Sequence, residues 1–149
     1  MTTPEPTPFR SGRDASVEAP PRRSTLNIML WIVQVLLALL FIWAGGMKLV
    51  LPLEKLAGPV ALPGAFVRFI GVAELLGGLG LILPPLLRIR PGLAPLAAAG
   101  LVIIMIGAVS ITLIGGVGIG LAVIPAVTGL LAAFVAYGRW RLAPIHSKA

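Results

Sequence analysis

The stretch RFIGVAELLGGLGLILPPLL (Arg68–Leu87) holds one carboxylate, Glu74, and beyond Arg68 its other residues are all apolar or glycine. With the two residues before it, Phe66–Leu83 makes a helix of about 27 Å, enough to cross a bilayer. Glu74 is the ninth of those eighteen residues and so stands near the midplane. A charge at that depth costs roughly 2.5–3.5 kcal/mol on insertion scales. The carboxylate therefore has to face the interior of a helix bundle and find a partner there. The fold question becomes which other segments supply that bundle.

Three further apolar runs answer it. Ile28–Met47 is twenty residues without a charge, with Trp31 and Trp43 near its ends, where interfacial aromatics belong. Leu93–Ile114 carries Pro95 in its first turn, where a missing N–H is tolerated. Leu121–Tyr137 has Pro125 near its start and is closed by YGRWR. The second span is expected to stop at Leu83, before Pro84 and Pro85. The fold class is an all-α integral membrane four-helix bundle, with helices at about 28–47, 66–83, 93–114 and 121–137.

Composition agrees. The 149 residues are 58% hydrophobic and 11% charged, against roughly 25% charged in soluble domains. The absence of cysteine excludes disulfides, thiolate metal sites and a cysteine nucleophile. The single histidine, His146, lies in the polar C-terminal tail, so no metal-ligand cluster and no Ser-His-Asp arrangement can be assembled. The net charge of +7 flanks the apolar runs and forms no aromatic-interleaved patch, which argues against nucleic acid.

The same charges orient the bundle. Arg10, Arg13, Arg22, Arg23, Arg88, Arg90, Arg139, Arg141 and Lys148 fall on one side, and Lys48, Lys55 and Arg68 on the other. By the positive-inside rule both termini are cytoplasmic. Residues 1–25, with five prolines and no apolar run, read as a disordered cytoplasmic tail, residues 26–141 as the membrane domain, and 142–149 as a second tail. The connection KLVLPLEKLAGPVALPG is long, proline-punctuated and apolar, which makes the 48–65 segment a candidate lid.

Small residues mark helix contacts. Gly71 and Gly78 are seven apart, as are Gly100 and Gly107; Ala73 with Gly77, and Gly129 with Ala133, give small-xxx-small spacing. The expected helix-packing positions are Gly71, Gly77, Gly78, Gly100, Gly107 and Gly129. For Glu74 two partners stand at suitable depth. Lys48 can reach inward from the end of the first span, and Thr128 is the eighth residue of the fourth. Arg68, six residues before Glu74, faces about 120° away and reads as an interfacial anchor. Gln34 is placed to bond across helices, and Ser110 and Thr112 to bond to backbone carbonyls. Glu74 with its partner is either a structural ion pair or a site for a ligand, a proton or a quinone headgroup.

The segments FIWAGGMKL (Phe41–Leu49), RFIGVAELLGGLGLILPPLL (Arg68–Leu87) and LAPLAAAGLVIIMIGA (Leu93–Ala108) resemble the DoxX-like family of small four-helix membrane proteins. The likeness covers about Leu30–Arg139, and the family's polar positions fall on Lys48, Arg68 and Glu74. Relatives in the wider superfamily include a subunit of a thiosulfate:quinone oxidoreductase, a mycobacterial member of oxidative-stress complexes and an animal receptor-assembly chaperone. The alanine-, glycine-, proline- and arginine-rich composition points to a high-GC bacterium, so the expected place is a bacterial plasma (inner) membrane, as a multi-pass protein. Its expected role is a non-catalytic module that assists or anchors a partner, in redox homeostasis, with no catalytic residue and no obligatory cofactor. The alternatives are a membrane subunit of a quinone-linked oxidoreductase, with quinone as cofactor, and a small proton- or solute-conducting transporter. Expected partners are the lipid bilayer and a protein partner or a second copy of the chain.

Overall fold

The computed structural model describes residues 22–58, 60–87, 89–90 and 92–142. The tail positions 1–21 and 143–149, with the expectations placed on them, lie outside the described residues, as does Arg88. Four helices follow: α1 Arg22–Val50, α2 Gly64–Leu87, α3 Leu93–Ile114 and α4 Ile119–Tyr137, with a 3-10 turn at Leu53–Leu56 and a π-helical turn at Gly138–Leu142. All four are long and apolar enough to cross a membrane. Among the described residues there is no strand.

Three of the four helices are longer than the sequence reading, α4 by two residues at its start and α1 and α2 at both ends. Helix α1 begins at Arg22, so the last four residues of the expected tail are helical. Helix α2 runs through Pro84 and Pro85 to Leu87. A proline removes the N–H that would serve the carbonyl four residues earlier. For Pro85 that carbonyl belongs to Leu81, and the Gln34 side-chain amide of α1 donates to it instead. A neighbouring helix thus supplies the bond that the proline cannot make.

The bundle packs in chain order, α1 on α2, α2 on α3 and α3 on α4, with α4 also touching α1. On α1, Leu30, Gln34, Leu37, Ala38, Phe41 and Gly45 are buried, a spacing of three and four that lays one face against the bundle. Leu37, Ala38 and Phe41 meet Leu81 of α2, Leu101 and Met105 of α3, and Ala132 and Val135 of α4 in the central core. Gly116 (φ 67°) and Gly118 (φ 95°) turn the chain between α3 and α4 in a conformation that residues with a Cβ avoid.

Between α1 and α2 it is backbone that meets backbone. A methyl group on Gly45 would stand 2.6 Å from the Gly71 carbonyl oxygen, and one on Gly71 2.9 Å from Lys48 Cβ. One on Gly78 would stand 2.9 Å from Ile42 and 3.0 Å from the Ala38 carbonyl. Gly77 closes on Leu101 of α3, and Gly129 on Met105 of the same helix. Gly100 and Gly107 do otherwise: nothing lies within 4 Å of a Cβ built on either. The expectation that they pack inside the bundle is therefore corrected. Their seven-residue spacing is the same as that of Gly71 and Gly78, but it falls on a face of α3 that turns outward.

The Gly45 contact yields a paired test. Gly45→Ala pushes a methyl into backbone and is expected to destabilise by about 1–3 kcal/mol. Gly46→Ala meets open space and should be neutral or stabilising, by up to about 1 kcal/mol. Thermal melts of the two variants in one detergent check the difference, and equal losses would show that the helices do not approach as described.

Candidate functional site

The sequence places Lys48 in the last turn of α1 and Glu74 in the middle of α2, and the α1–α2 approach brings them together. Lys48 Nζ donates to Glu74 Oε2 at 2.7 Å. Glu74 is 4% exposed, whereas the Lys48 side chain keeps 30%. The ammonium comes from the last turn of α1, with its stem lying along apolar surface, the usual posture of a lysine near a helix end. Gly71, one turn before Glu74, clears the path for that stem: Lys48 Cβ occupies the space where a side chain at 71 would begin.

Arg68 completes the cluster by serving the backbone of α1. The last carbonyls of a helix have no partner within it. Arg68 Nη1 donates to the Lys48 carbonyl and Nη2 to the Leu51 carbonyl at 2.9 Å. The guanidinium thus caps the C-terminus of α1 and meets the partial negative charge gathered there. Thr128 is not part of this cluster. Its hydroxyl donates to the Ile124 carbonyl of its own helix at 2.9 Å, and α4 lies against α3 rather than against the Glu74 face of α2. Equal depth put Thr128 on the list of partners, but equal depth is not adjacency. Ser110 and Thr112 bond back in the same way, to Ile106 and Ala108.

Beside the cluster lies a cavity of about 310 Å³, walled by Leu53, Leu56, Val60 and Leu62 of the α1–α2 connection, by Val67 and Ile70 of α2, and by Ile111 of α3. Lys48 is the one charged side chain on its lining. The connection expected as a lid therefore forms the wall of a chamber, with its apolar residues turned into it.

A second polar cluster sits at the opposite end, and its central member was not among the sequence candidates. Arg139, in the π-helical turn after α4, is 3% exposed. Its Nε donates to Gln34 Oε1 at 2.8 Å, its Nη1 to Asn27 Oδ1 at 2.7 Å, and its guanidinium carbon lies 5.2 Å from the centre of the Trp31 ring. Nη2 is buried without a partner among the described residues. The positive-inside count took Arg139 only as one of the charges flanking the spans, but it bolts the end of α4 to the start of α1. One signal in the sequence was available: Asn27, Trp31 and Gln34 recur at i, i+4 and i+7, a stripe of hydrogen-bonding and cation-accepting groups on one helix face.

No group of three or more metal-ligating side chains occurs among the described residues. Between the two polar clusters lies the apolar core, and about 10 Å of helix separates Glu74 from Leu81.

With this geometry in place, the comparisons carry weight. A model of the DoxX-like family matches residues 32–135, a span that runs from α1 almost to the end of α4 and includes Lys48, Arg68 and Glu74. The chain belongs to the DoxX-like family. No curated protein and no solved structure matches it significantly. In this DoxX-like protein the α1–α2 contact brings Lys48, Arg68 and Glu74 together.

Each cluster generates a prediction. Lys48→Ala strands a buried carboxylate and should cost about 3 kcal/mol, the low end for breaking a buried pair because Lys48 keeps some exposure. Arg68→Ala should cost less, since water near the helix end can replace its bonds, and Lys48→Met with Glu74→Leu should recover most of the loss. Equal melting temperatures for the two single variants would contradict the pairing. At the other end, Gln34→Leu leaves Arg139 Nε and the Leu81 carbonyl without their partner and should cost about 2 kcal/mol. Adding Pro85→Ala restores a backbone donor for Leu81, so the double variant should melt above Gln34→Leu; strict additivity would contradict the bond.

Proposed function

We propose that this DoxX-like protein is a non-catalytic membrane module that assists or anchors a protein partner, in the setting of redox homeostasis. What supports this reading is the use made of the polar groups within the spans. Lys48 and Glu74 hold each other, Arg68 caps α1, and Gln34 and Arg139 lock α1 to α2 and α4. Each of these side chains makes a bond that holds the bundle together, and the hydroxyls of Ser110, Thr112 and Thr128 are turned back on their own helices. A partner would meet the outward face of α3, where Gly100 and Gly107 leave the backbone open to close approach. In this reading the protein lies in a bacterial inner membrane with both termini on the cytoplasmic side, the side that the excess of Lys and Arg favours.

A second reading, a membrane subunit of a quinone-linked oxidoreductase, draws support from the apolar cavity beside Lys48. Conduction of protons or solutes is the weakest of the three. The apolar core divides the two polar clusters, so Glu74 has no relay toward the other end.

Purification in native lipid separates the first two readings. The partner reading expects one stoichiometric co-purifying protein, lost on Gly100→Leu with Gly107→Leu while the melting temperature of the bundle holds. A co-purified quinone with no protein partner would replace it with the second reading.

A further inference from the structure

The cavity between the α1–α2 connection and the helices has a composition that the partner role does not call for. Its walls are aliphatic, from Leu53, Leu56, Val60, Leu62, Val67 and Ile111, and a single ammonium, that of Lys48, reaches its lining. A lysine ammonium carries three donors, and one of them goes to Glu74. The rest border a chamber with no other charged side chain among the described residues. Concave, mostly apolar sites with one or two placed polar groups are the usual form of a small-molecule pocket.

Charge and volume narrow the occupant. Lys48 and Arg68 against Glu74 leave the cluster with one net positive charge, and Glu54 and Lys55 on the neighbouring 3-10 turn cancel. A cavity of about 310 Å³ is at the small end of the range for ligand pockets, too small for a two-chain phospholipid. We propose that this chamber binds a single-chain amphipathic anion, an alkyl carboxylate whose tail lies against Leu53, Leu56, Val60 and Val67 and whose head accepts from Lys48. Glu74 is then a positioning residue: it holds the ammonium at the cavity edge and makes no contact with the ligand. The inference needs no protein partner, and it can fail while the partner reading stands.

The test is photolabelling of the full chain in lipid nanodiscs with a diazirine-bearing decanoate, mapped by peptide mass spectrometry. Label is expected on the 53–67 segment and at Ile111, displaced by decanoate about tenfold more readily than by decanol or decyltrimethylammonium. Val67→Trp fills the chamber without touching the ion pair and should abolish that label at an unchanged melting temperature. Should Val67→Trp fail to fold, Ile111→Trp fills the chamber from α3 and carries the same expectation. Equal displacement by decanol would overturn the anionic head. Displacement by a short-chain quinone and not by decanoate would overturn the ligand class. Label spread evenly over the lipid-facing helices, or indifferent to the filling variants, would overturn the site.

Discussion

In a bilayer a carboxylate cannot fall back on water, and Glu74 has only what the other helices bring to it. What they bring is the Lys48 ammonium at 2.7 Å, and much of the bundle is arranged to make that meeting possible. Lys48 is fixed in the last turn of α1 and Glu74 is the eleventh residue of α2, so their contact sets how far one helix slides along the other. It also sets how near they come. The glycines at 45, 71 and 78 bring the two backbones close enough for a lysine stem to run between them. Arg68 then finds the end of α1 within reach and caps it. A buried pair of this kind contributes little net stability compared with apolar residues of the same shape, but it penalises every register in which the charges miss each other.

The other end of the bundle solves a different version of the same problem. Prolines in α2 release backbone carbonyls, and the end of α4 carries an arginine. Gln34 serves both, donating to the Leu81 carbonyl with its amide nitrogen and accepting from Arg139 with its oxygen. One side chain thereby ties α1 to α2 and to the turn after α4. The two polar clusters act as clasps at the two ends of an apolar core, the first fixing the α1–α2 register and the second closing the ring of helices.

How much of this was legible in the sequence depended on whether the signal was local. Four spans, the depth of Glu74 and the reach of Lys48 follow from hydropathy and from the 1.5 Å helical rise. Thr128 and Arg139 did not follow, because each depends on which helices are neighbours. Thr128 matched Glu74 in depth but sits on a helix that packs against α3. Arg139 looked like one more interfacial cation, since nothing in its local sequence reveals that a π-helical turn carries it inward onto Trp31 and Gln34. The run through Pro84 and Pro85 was hidden for the same reason: proline breaks a helix unless a distant side chain meets the released carbonyl. The glycines at 100 and 107 mislead in the opposite direction, with a packing spacing on a face that this chain leaves open.

The central claim is that Lys48 and Glu74 are in direct contact inside the membrane and set the bundle's register. The most direct measurement is the dipolar coupling between 15Nζ-labelled Lys48 and 13Cδ-labelled Glu74, by solid-state NMR of the protein in lipid bilayers, with Lys55→Arg, Lys148→Arg, Glu5→Gln, Glu18→Gln and Glu54→Gln leaving one lysine and one glutamate. Strong coupling, as required by a nitrogen–oxygen distance of 2.7 Å, is the result expected. No coupling, with the Lys48 ammonium in exchange with bulk water, would contradict the account.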